Sequence, residues 1–453
     1  MRGDSTWATP AGAGWITSAK SAYFTVLTTE NNYVFNVTAG NAGVVCTLPS
    51  AASAGDGFEI HVCKVDSSKG NVTFAGTGAP TRVLYFRHDT LRLRSDGTNW
   101  QIVGLESLVC EDNVWGDGSD GDVTVSGSVT FTRTMHYNSL TVQSGAAINP
   151  AGYWLLCKSY LDLTSAPAGW LSTVGAVGGS ATGTNQSTGG TAGSGSGRLL
   201  GGQVNIPYAG ANGGTGAGAM PSSTSANSII GTISGTATAA QGGAGGAGSG
   251  GAGGAARAST TATLLFRLPS YLTDCFLSLN SALSPILMGG NSGQSGSAGG
   301  GDGSNNGGGG GGTGRAAVVI GVRARKAIRG ASTAANGIIA NGSNGGSGGS
   351  PTTGNCGGGG GGAGGSGGGI YFVTGELVGT TASNHLQAKG GDGGAGGTGV
   401  GTGANGTGGY SGGGGCIVLG ELCSNAWSLS LGADIVANSG TTGGVASEFQ
   451  VSL

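Results

Sequence analysis

The chain has 453 residues, of which 104 are glycine, and its 19 Lys or Arg and 21 Asp or Glu give a formal net charge of −2. Disordered chains usually combine low hydrophobicity with high net charge, whereas here 37% of the residues are hydrophobic and 9% are charged. This composition argues against flexible linkers for most of the glycine, and the near-neutral charge argues against a broad surface for nucleic acid. The local exception is a basic run, which we interpret as a solvated strand face rather than a phosphate patch: Arg323, Arg325, Lys326 and Arg329.

The N-terminus "MRGDSTWATPAGAGWITSAK" lacks the apolar core of a signal peptide, and no apolar run approaches membrane-spanning length. We therefore expect a soluble protein that is synthesised in the cytosol, without membrane insertion. Residues 1–20 are interpreted as an N-terminal attachment segment.

Residues 21–106 are predicted to form a small all-β domain. Short β-branched and aromatic runs such as "YVFNVTA", "FEIHVCKV" and "LRLRSDG" alternate with turn sequences such as "AGDG" and "DSSKG". The stretch from "CTLPSAASAGDGFEIHVCKV" to "LRLRSDGTNWQIVG" resembles a small β-domain of bacteriophage tail-fibre and other virion-surface proteins. That resemblance covers about residues 30–104 and implies a "TLP" strand, a small-residue turn, a core strand and a final "SDGTNW" hairpin.

Residues 107–170 are predicted to form a β-rung module. The alternation in "DVTVSGSVTFTRTMHYNSLTVQSGAAINPAGYWLLCKSYLDL" (122–163) favours short strands, and the block resembles a phage-fibre module whose strands stack as rungs.

Residues 171–453 read as a glycine-rich repeat. The blocks "ATLLFRLPSYL", "AAVVIGVRARKAI", "GIYFVTGELVG" and "CIVLGELCSNAWSLSL" each adjoin a glycine tract. The later blocks are followed by "GIIANGSNGG", "HLQAKGGDGG" or "DIVANSGTTGG", and a spacing of roughly fifty residues predicts one supersecondary unit per repeat.

Glycine recurs at every third position within the tracts, for example at 242, 245, 248, 251 and 254 and at 403, 406, 409, 412 and 415. A polyproline II-type helix has three residues per turn, so this register leaves one face free of side chains. The chain contains only 10 prolines, which excludes collagen. We therefore expect polyglycine II-type helices that hydrogen-bond to one another. In composition and tract register the chain resembles the glycine-rich tail-tip adhesins of large phages, which implies an all-β fold with inserted polyglycine II helices.

Catalytic and metal-binding signals are weak. Four histidines (His61, His88, His136, His385) stand apart from any nucleophile motif, and the eight cysteines form no C-x-x-C pair. The turn "DGSDGD" brings Asp117, Asp120 and Asp122 together but lacks the later glutamate of an EF-hand, so an acidic turn is favoured over a calcium site. We predict no enzyme activity, no metal site and no cofactor.

The resemblance implies a structural component of a phage virion, a tail fibre, spike or adhesin, that mediates host-cell recognition and attachment. The expected partners are other virion proteins, bound through the N-terminal region, and a host cell-surface polysaccharide or outer-membrane protein. A homotrimer on the virion surface is expected by resemblance. One alternative is a purely architectural decoration protein of head, collar or tail, and a weaker alternative is a polysaccharide depolymerase tailspike.

Recognition is expected at turns between tracts, where larger residues interrupt the glycine. The candidate binding residues are Tyr208 in "NIPYAGANGG", Met220 in "GAGAMPSSTSANS" and Tyr410 in "GTGGYSGG". Tyrosine offers a rigid aromatic face and a hydroxyl at low entropic cost. The alternative is that these side chains cap or wedge the bundle.

Overall fold

A computed structural model gives the fold of the chain. It describes residues 14–106, 115–173, 177–181, 237–238, 242–255, 261–262, 294–317, 319–330, 337–379, 386–421, 435–436 and 447–452. The chain divides into two compact units, Met1–Cys110 and Glu111–Leu453. Within the described residues the one α-helix is the four-residue α1, Ala51–Ala54, so the predicted all-β class is confirmed.

The first unit consists of two small sheets between which the chain alternates. Its strands are β1 (Ile16–Lys20), β2 (Phe24–Thr25), β3 (Tyr33–Val37), β4 (Val44–Thr47), β5 (Asp56–Lys64), β6 (Val72–Ala75), β7 (Thr90–Asp96) and β8 (Trp100–Glu106). One sheet has the order β1-β3-β5-β7-β8 and the other β2-β4-β6. The first three strands of the larger sheet are parallel, and β7 and β8 close it as an antiparallel hairpin. This hairpin lies where "SDGTNW" predicts one.

The second unit is a parallel β-solenoid in the part of the chain that forms regular sheets. Its strands are β9 (Asp122–Val125), β10 (Ser128–Thr130), β11 (Met135–Val142), β12 (Ala147–Asn149), β13 (Trp154–Leu163), β14 (Leu171–Ser172), β15 (Ala237–Thr238), β16 (Thr261–Ala262), β17 (Ile320–Arg329), β18 (Ile338–Ile339), β19 (Gly369–Val378), β20 (Leu386–Gln387), β21 (Cys416–Glu421), β22 (Ile435–Val436) and β23 (Ser447–Ser452). The longer strands form a sheet in the order β23-β21-β19-β17-β13-β11-β9, and the shorter ones form a sheet in the order β10-β12-β14-β18-β20-β22. Consecutive coils therefore stack in sequence order.

The solenoid interior is lined by ladders of apolar side chains from both sheets. In the long-strand sheet Leu155 pairs with Val322, which pairs with Phe372, and all three side chains are buried. In the short-strand sheet Leu171 pairs with Ile338, and that ladder is buried in the same core. Apolar side chains at paired positions of neighbouring strands bury apolar area in every coil. A shift of one residue would turn them away from the core, so their burial fixes the register of strand pairing.

The repeat predicted from the sequence coincides with the coils. The blocks "AAVVIGVRARKAI", "GIYFVTGELVG" and "CIVLGELC" supply β17, β19 and β21, and the segments that follow them supply β18, β20 and β22. The remaining block, "ATLLFRLPSYL" (262–272), lies outside the described residues except for Ala262, which ends the hairpin strand β16.

The basic run of β17 is buried, so its interpretation as a solvated strand face was wrong. Arg323 is 5% exposed, and its guanidinium lies 5.0 Å from the ring of Trp154 and 5.8 Å from that of Tyr371. Lys326 is 1% exposed, and its Nζ lies 3.1 Å from Glu376. The sequence spacing does not indicate that β17 lies inside a seven-stranded sheet. There, aromatic rings and a carboxylate on the adjacent strands lie close to these cations.

A buried lysine, Lys64, lies at the end of β5 in the first unit. Lys64 is fully buried, and its Nζ lies 2.7 Å from Oδ1 of Asp66, whose carboxylate also accepts the backbone N–H groups of Ala39 and Gly40 at 3.0 Å. Burial by itself would raise the pKa of Asp66. The hydrogen bonds from Lys64, Ser68 and Ala39, together with the Lys64 charge, outweigh burial and lower this pKa to about 2.

We expect Asp66→Asn to destabilise the first unit by about 1–2 kcal/mol near neutral pH, because a charged partner of a buried donor is lost. The pKa of Asp66 is lower in the folded than in the unfolded chain, so its contribution is present above the ordinary carboxyl pKa. It is lost as the pH falls through about 2. Urea midpoints of the whole chain near neutral pH and near pH 2 measure the effect. Asp56→Asn, at an exposed position of β5, is the control, and an effect of Asp66→Asn that is equal at both pH values would contradict the prediction.

Candidate binding site

Three connections of the solenoid carry long insertions at the same corner. The link from β12 to β13 is short, spanning residues 150–153, and Tyr153 N donates to Pro150 O at 2.8 Å. The equivalent links from β14 to β17, from β18 to β19 and from β20 to β21 instead contain the glycine-rich sequence. Each insertion leaves a short strand and returns to a long one.

The described parts of these insertions form extended glycine tracts joined by turns. We number them in chain order as tract 1 (178–181), tract 2 (242–248), tract 3 (251–255), tract 4 (294–301), tract 5 (307–317), tract 6 (340–350), tract 7 (356–368), tract 8 (388–400) and tract 9 (403–415). Tracts 1 to 5 belong to the first insertion, tracts 6 and 7 to the second, and tracts 8 and 9 to the third.

Tract 7 is hydrogen-bonded to six other tracts. The N–H of Gly357 donates to tract 4, that of Gly358 to tract 9 and that of Gly359 to tract 6, and the same order repeats over residues 360–362. The carbonyl groups of these residues accept from tracts 5, 2 and 8 in the same rotation, with all distances between 2.7 and 2.9 Å. Both backbone groups of every residue from 357 to 362 therefore find partners in neighbouring tracts.

The close approach of the tracts explains why tract 7 is nearly pure glycine. A Cβ built on any residue from 357 to 362 would lie 2.0 Å from a backbone carbonyl oxygen of a neighbouring tract. The Cα hydrogens thus point at carbonyl oxygens, a recurrent weak contact between extended chains. In tract 9 the predicted register is closed in this way: Cβ atoms at 403, 406, 409, 412 and 415 would lie 2.0–2.2 Å from a carbonyl oxygen, whereas at Gly413 the nearest atom is 3.9 Å away.

The tracts continue the register of the sheets from which they emerge. Ile338 of β18 pairs with Leu386 of β20, and a few residues later Gly342 of tract 6 donates to Lys389 of tract 8 with no register slip. The hydrogen bonds of tract 5 to tract 7 likewise continue the pairing of β17 with β19. The strand pairing of the solenoid therefore determines which residues of neighbouring tracts are hydrogen-bonded to each other.

Turns from all three insertions meet at the end of the tracts that is distal to the solenoid. They are residues 249–250, 302–306, 351–355 and 401–402. Asn355 connects them: its N–H donates to Asp302 Oδ2 at 3.0 Å, its Oδ1 accepts from Thr402 N at 3.0 Å, and its carbonyl accepts from Ser249 N at 2.9 Å. One residue thus bonds to three other turns.

Asp302 is the carboxylate at the centre of its turn. Its Oδ1 accepts from Ser304 N at 2.9 Å and Asn305 N at 2.6 Å, and its Oδ2 accepts from Asn305 Nδ2 at 3.0 Å as well as from Asn355 N. The Asn305 side chain and the backbone N–H groups of Asn305, Asn355 and Ser304 hold the pKa of Asp302 well below its usual range. The group is therefore an anion throughout the physiological pH range.

The exposed side chains of these turns are small and polar. Ser304, Thr352, Thr353 and Thr402 are exposed, and the described turns contain neither an aromatic residue nor a cation. Such a surface can offer hydroxyl and amide hydrogen bonds to a ligand.

The candidate residues chosen from the sequence fall elsewhere. Tyr208 and Met220 lie outside the described residues. Tyr410 lies within tract 9 and not in a turn; its carbonyl accepts from Gly364 N at 3.0 Å and its side chain is 55% exposed. Asp302 and Asn355 were missed because larger residues were sought, although "GDGSNN" and "TTGN" are turn sequences rich in side chains that bond to backbone N–H groups.

The acidic turn at 117–122 is occupied by protein donors. Asp120 pairs with Arg133 and accepts from His136 N at 2.6 Å, while Asp122 accepts from Asn138 Nδ2 at 2.7 Å. Across the described ranges no group of three or more His, Cys, Asp or Glu side chains is placed to hold a metal ion.

Comparison with protein-family models, with curated proteins and with solved structures finds no match. Among the described helices, none is long and apolar enough to cross a membrane.

We expect Gly361→Ala in tract 7 to destabilise the second unit by about 1–3 kcal/mol, because the new methyl group meets the Gly394 carbonyl at 2.0 Å. Gly413→Ala is the matched control, since its methyl group would come no closer than 3.9 Å to another atom, and its effect should stay within about 0.5 kcal/mol. Thermal unfolding of the two variants measures the difference. Equal melting temperatures would contradict the close packing of tract 7.

Proposed function

We propose that the chain is a structural component of a phage virion, a tail fibre, spike or adhesin, that recognises the host cell through the distal turns and the outer flanks of its glycine tracts. The observation that supports this most is the convergence of turns from three insertions on Asn355. Binding residues are commonly carried by loops on a rigid scaffold, and the solenoid with its tracts supplies such a scaffold.

We also propose that the tracts are polyglycine II-type helices. The three-residue cycle of donors in tract 7 supports this, because that conformation has three residues per turn and no internal hydrogen bonds. At about 3.1 Å per residue, tract 6 would carry its turn about 30 Å from β18. Tract 7 offers hardly any side chains to a ligand, so recognition would fall to the turns and to the outer flanks.

The remaining assignments belong to the same proposal. Residues 1–20 would attach the chain to other virion proteins, the chain would assemble as a homotrimer, and the receptor would be a cell-surface polysaccharide or an outer-membrane protein. No catalytic role is proposed. A purely architectural decoration protein would share the scaffold but would not bind cells.

The purified chain should bind saturably to a subset of bacterial strains in a panel and should block adsorption of the corresponding phage. The triple variant Tyr208→Ala, Met220→Ala and Tyr410→Ala should keep its melting temperature and lose roughly tenfold or more in binding, as removal of anchor residues does. Absence of binding to every strain would favour the architectural role. Unchanged binding of the triple variant would move recognition away from these three residues.

A further inference from the structure

We propose that Asp302 and Asn355 are positioning residues that clamp the distal turns into one preformed surface. The inference rests on the proposed function, because it concerns the surface through which the chain would bind its receptor. It adds a role for two residues that themselves need not touch the ligand.

The two oxygens of Asp302 have separable tasks. Oδ1 accepts from the backbone of its own turn, at Ser304 and Asn305. Oδ2 accepts from Asn355 N, which belongs to the next insertion, and from the Asn305 side chain. One carboxylate therefore shapes the turn 302–306 and also ties it to the turn 351–355.

Asn355 also hydrogen-bonds to two further turns. Its side-chain oxygen accepts from Thr402 in the third insertion, and its carbonyl accepts from Ser249 in the first. Short turns of glycine, serine and threonine have many accessible conformations, and ordering them on binding would weaken affinity. If hydrogen bonds already link the turns before the ligand binds, this entropic cost of ordering is not incurred on binding.

The surrounding backbone is built around these two side chains. Gly354 and Gly401 have φ values of +83° and +63°, a backbone region that residues other than glycine rarely adopt. A Cβ at Gly354 would lie 2.2 Å from Asp302 Oδ2, and one at Gly401 would lie 2.1 Å from Asn355 Oδ1. Both glycines thus leave room for the oxygen that bridges to the neighbouring turn.

Asp302→Asn separates the two tasks. The amide oxygen can take the place of Oδ1 within the turn, whereas the amide NH₂ in the place of Oδ2 would face the N–H of Asn355 and cannot accept from it. We expect amide hydrogen exchange at Asn355 and Thr402 to become about tenfold faster, with exchange in tract 7 unchanged. Binding to cells should fall about tenfold at an unchanged melting temperature.

Ser304→Ala is the matched control, because it changes an exposed side chain of the same turn and keeps every hydrogen bond of Asp302. This variant should leave exchange at Asn355 and Thr402 unchanged. Unchanged exchange in Asp302→Asn would overturn the clamp, whether or not the chain binds cells. Faster exchange with full binding would overturn the positioning role, and failure of the wild-type chain to bind any strain would instead overturn the proposed function.

Discussion

The second unit depends on one constraint: a glycine tract can satisfy its backbone only through other tracts. An extended tract that makes no internal hydrogen bonds loses about 1–2 kcal/mol of backbone entropy per ordered residue, while a net hydrogen bond returns about 0.5–1.5 kcal/mol. Tract 7 comes close to balance because six neighbours occupy all its N–H and C=O groups over residues 357–362. An isolated tract would find no such partners and would remain disordered, so the tracts order together.

The solenoid supplies the register of the tracts, which the tracts cannot specify for themselves. A run such as "GGGGGG" looks the same after a shift of one residue, so it carries no register of its own. The apolar ladders of the coils do have a defined register, since Leu155, Val322 and Phe372 must all face the core. Because the hydrogen bonds of tracts 6 and 8 continue the pairing of β18 and β20 without a slip, the coil core selects the register of the bundle.

The sequence predicted those parts of the fold that depend on local pattern. Alternating apolar blocks located β17, β19 and β21, and the glycine period located the closed positions of tract 9. The burial of Arg323 was not predictable, because it depends on Trp154 and Tyr371 from strands far away in the chain. The link from Asn355 to Asp302 was missed for the same reason: 53 residues separate them, and each alone is an ordinary turn residue.

Packing leaves two kinds of position at which a side chain can change without disturbing the bundle. At the turns, hydrogen bonds through Asn355 and Asp302 hold the geometry, so an exposed residue such as Ser304 can vary while the frame stays fixed. Along the outer flank of tract 9, the register of Gly413 is open, and Tyr410, three residues earlier, lies in the same register and is 55% exposed. Since the interior tolerates only glycine over long stretches, new binding specificity in such a scaffold must arise at the turns or on this flank.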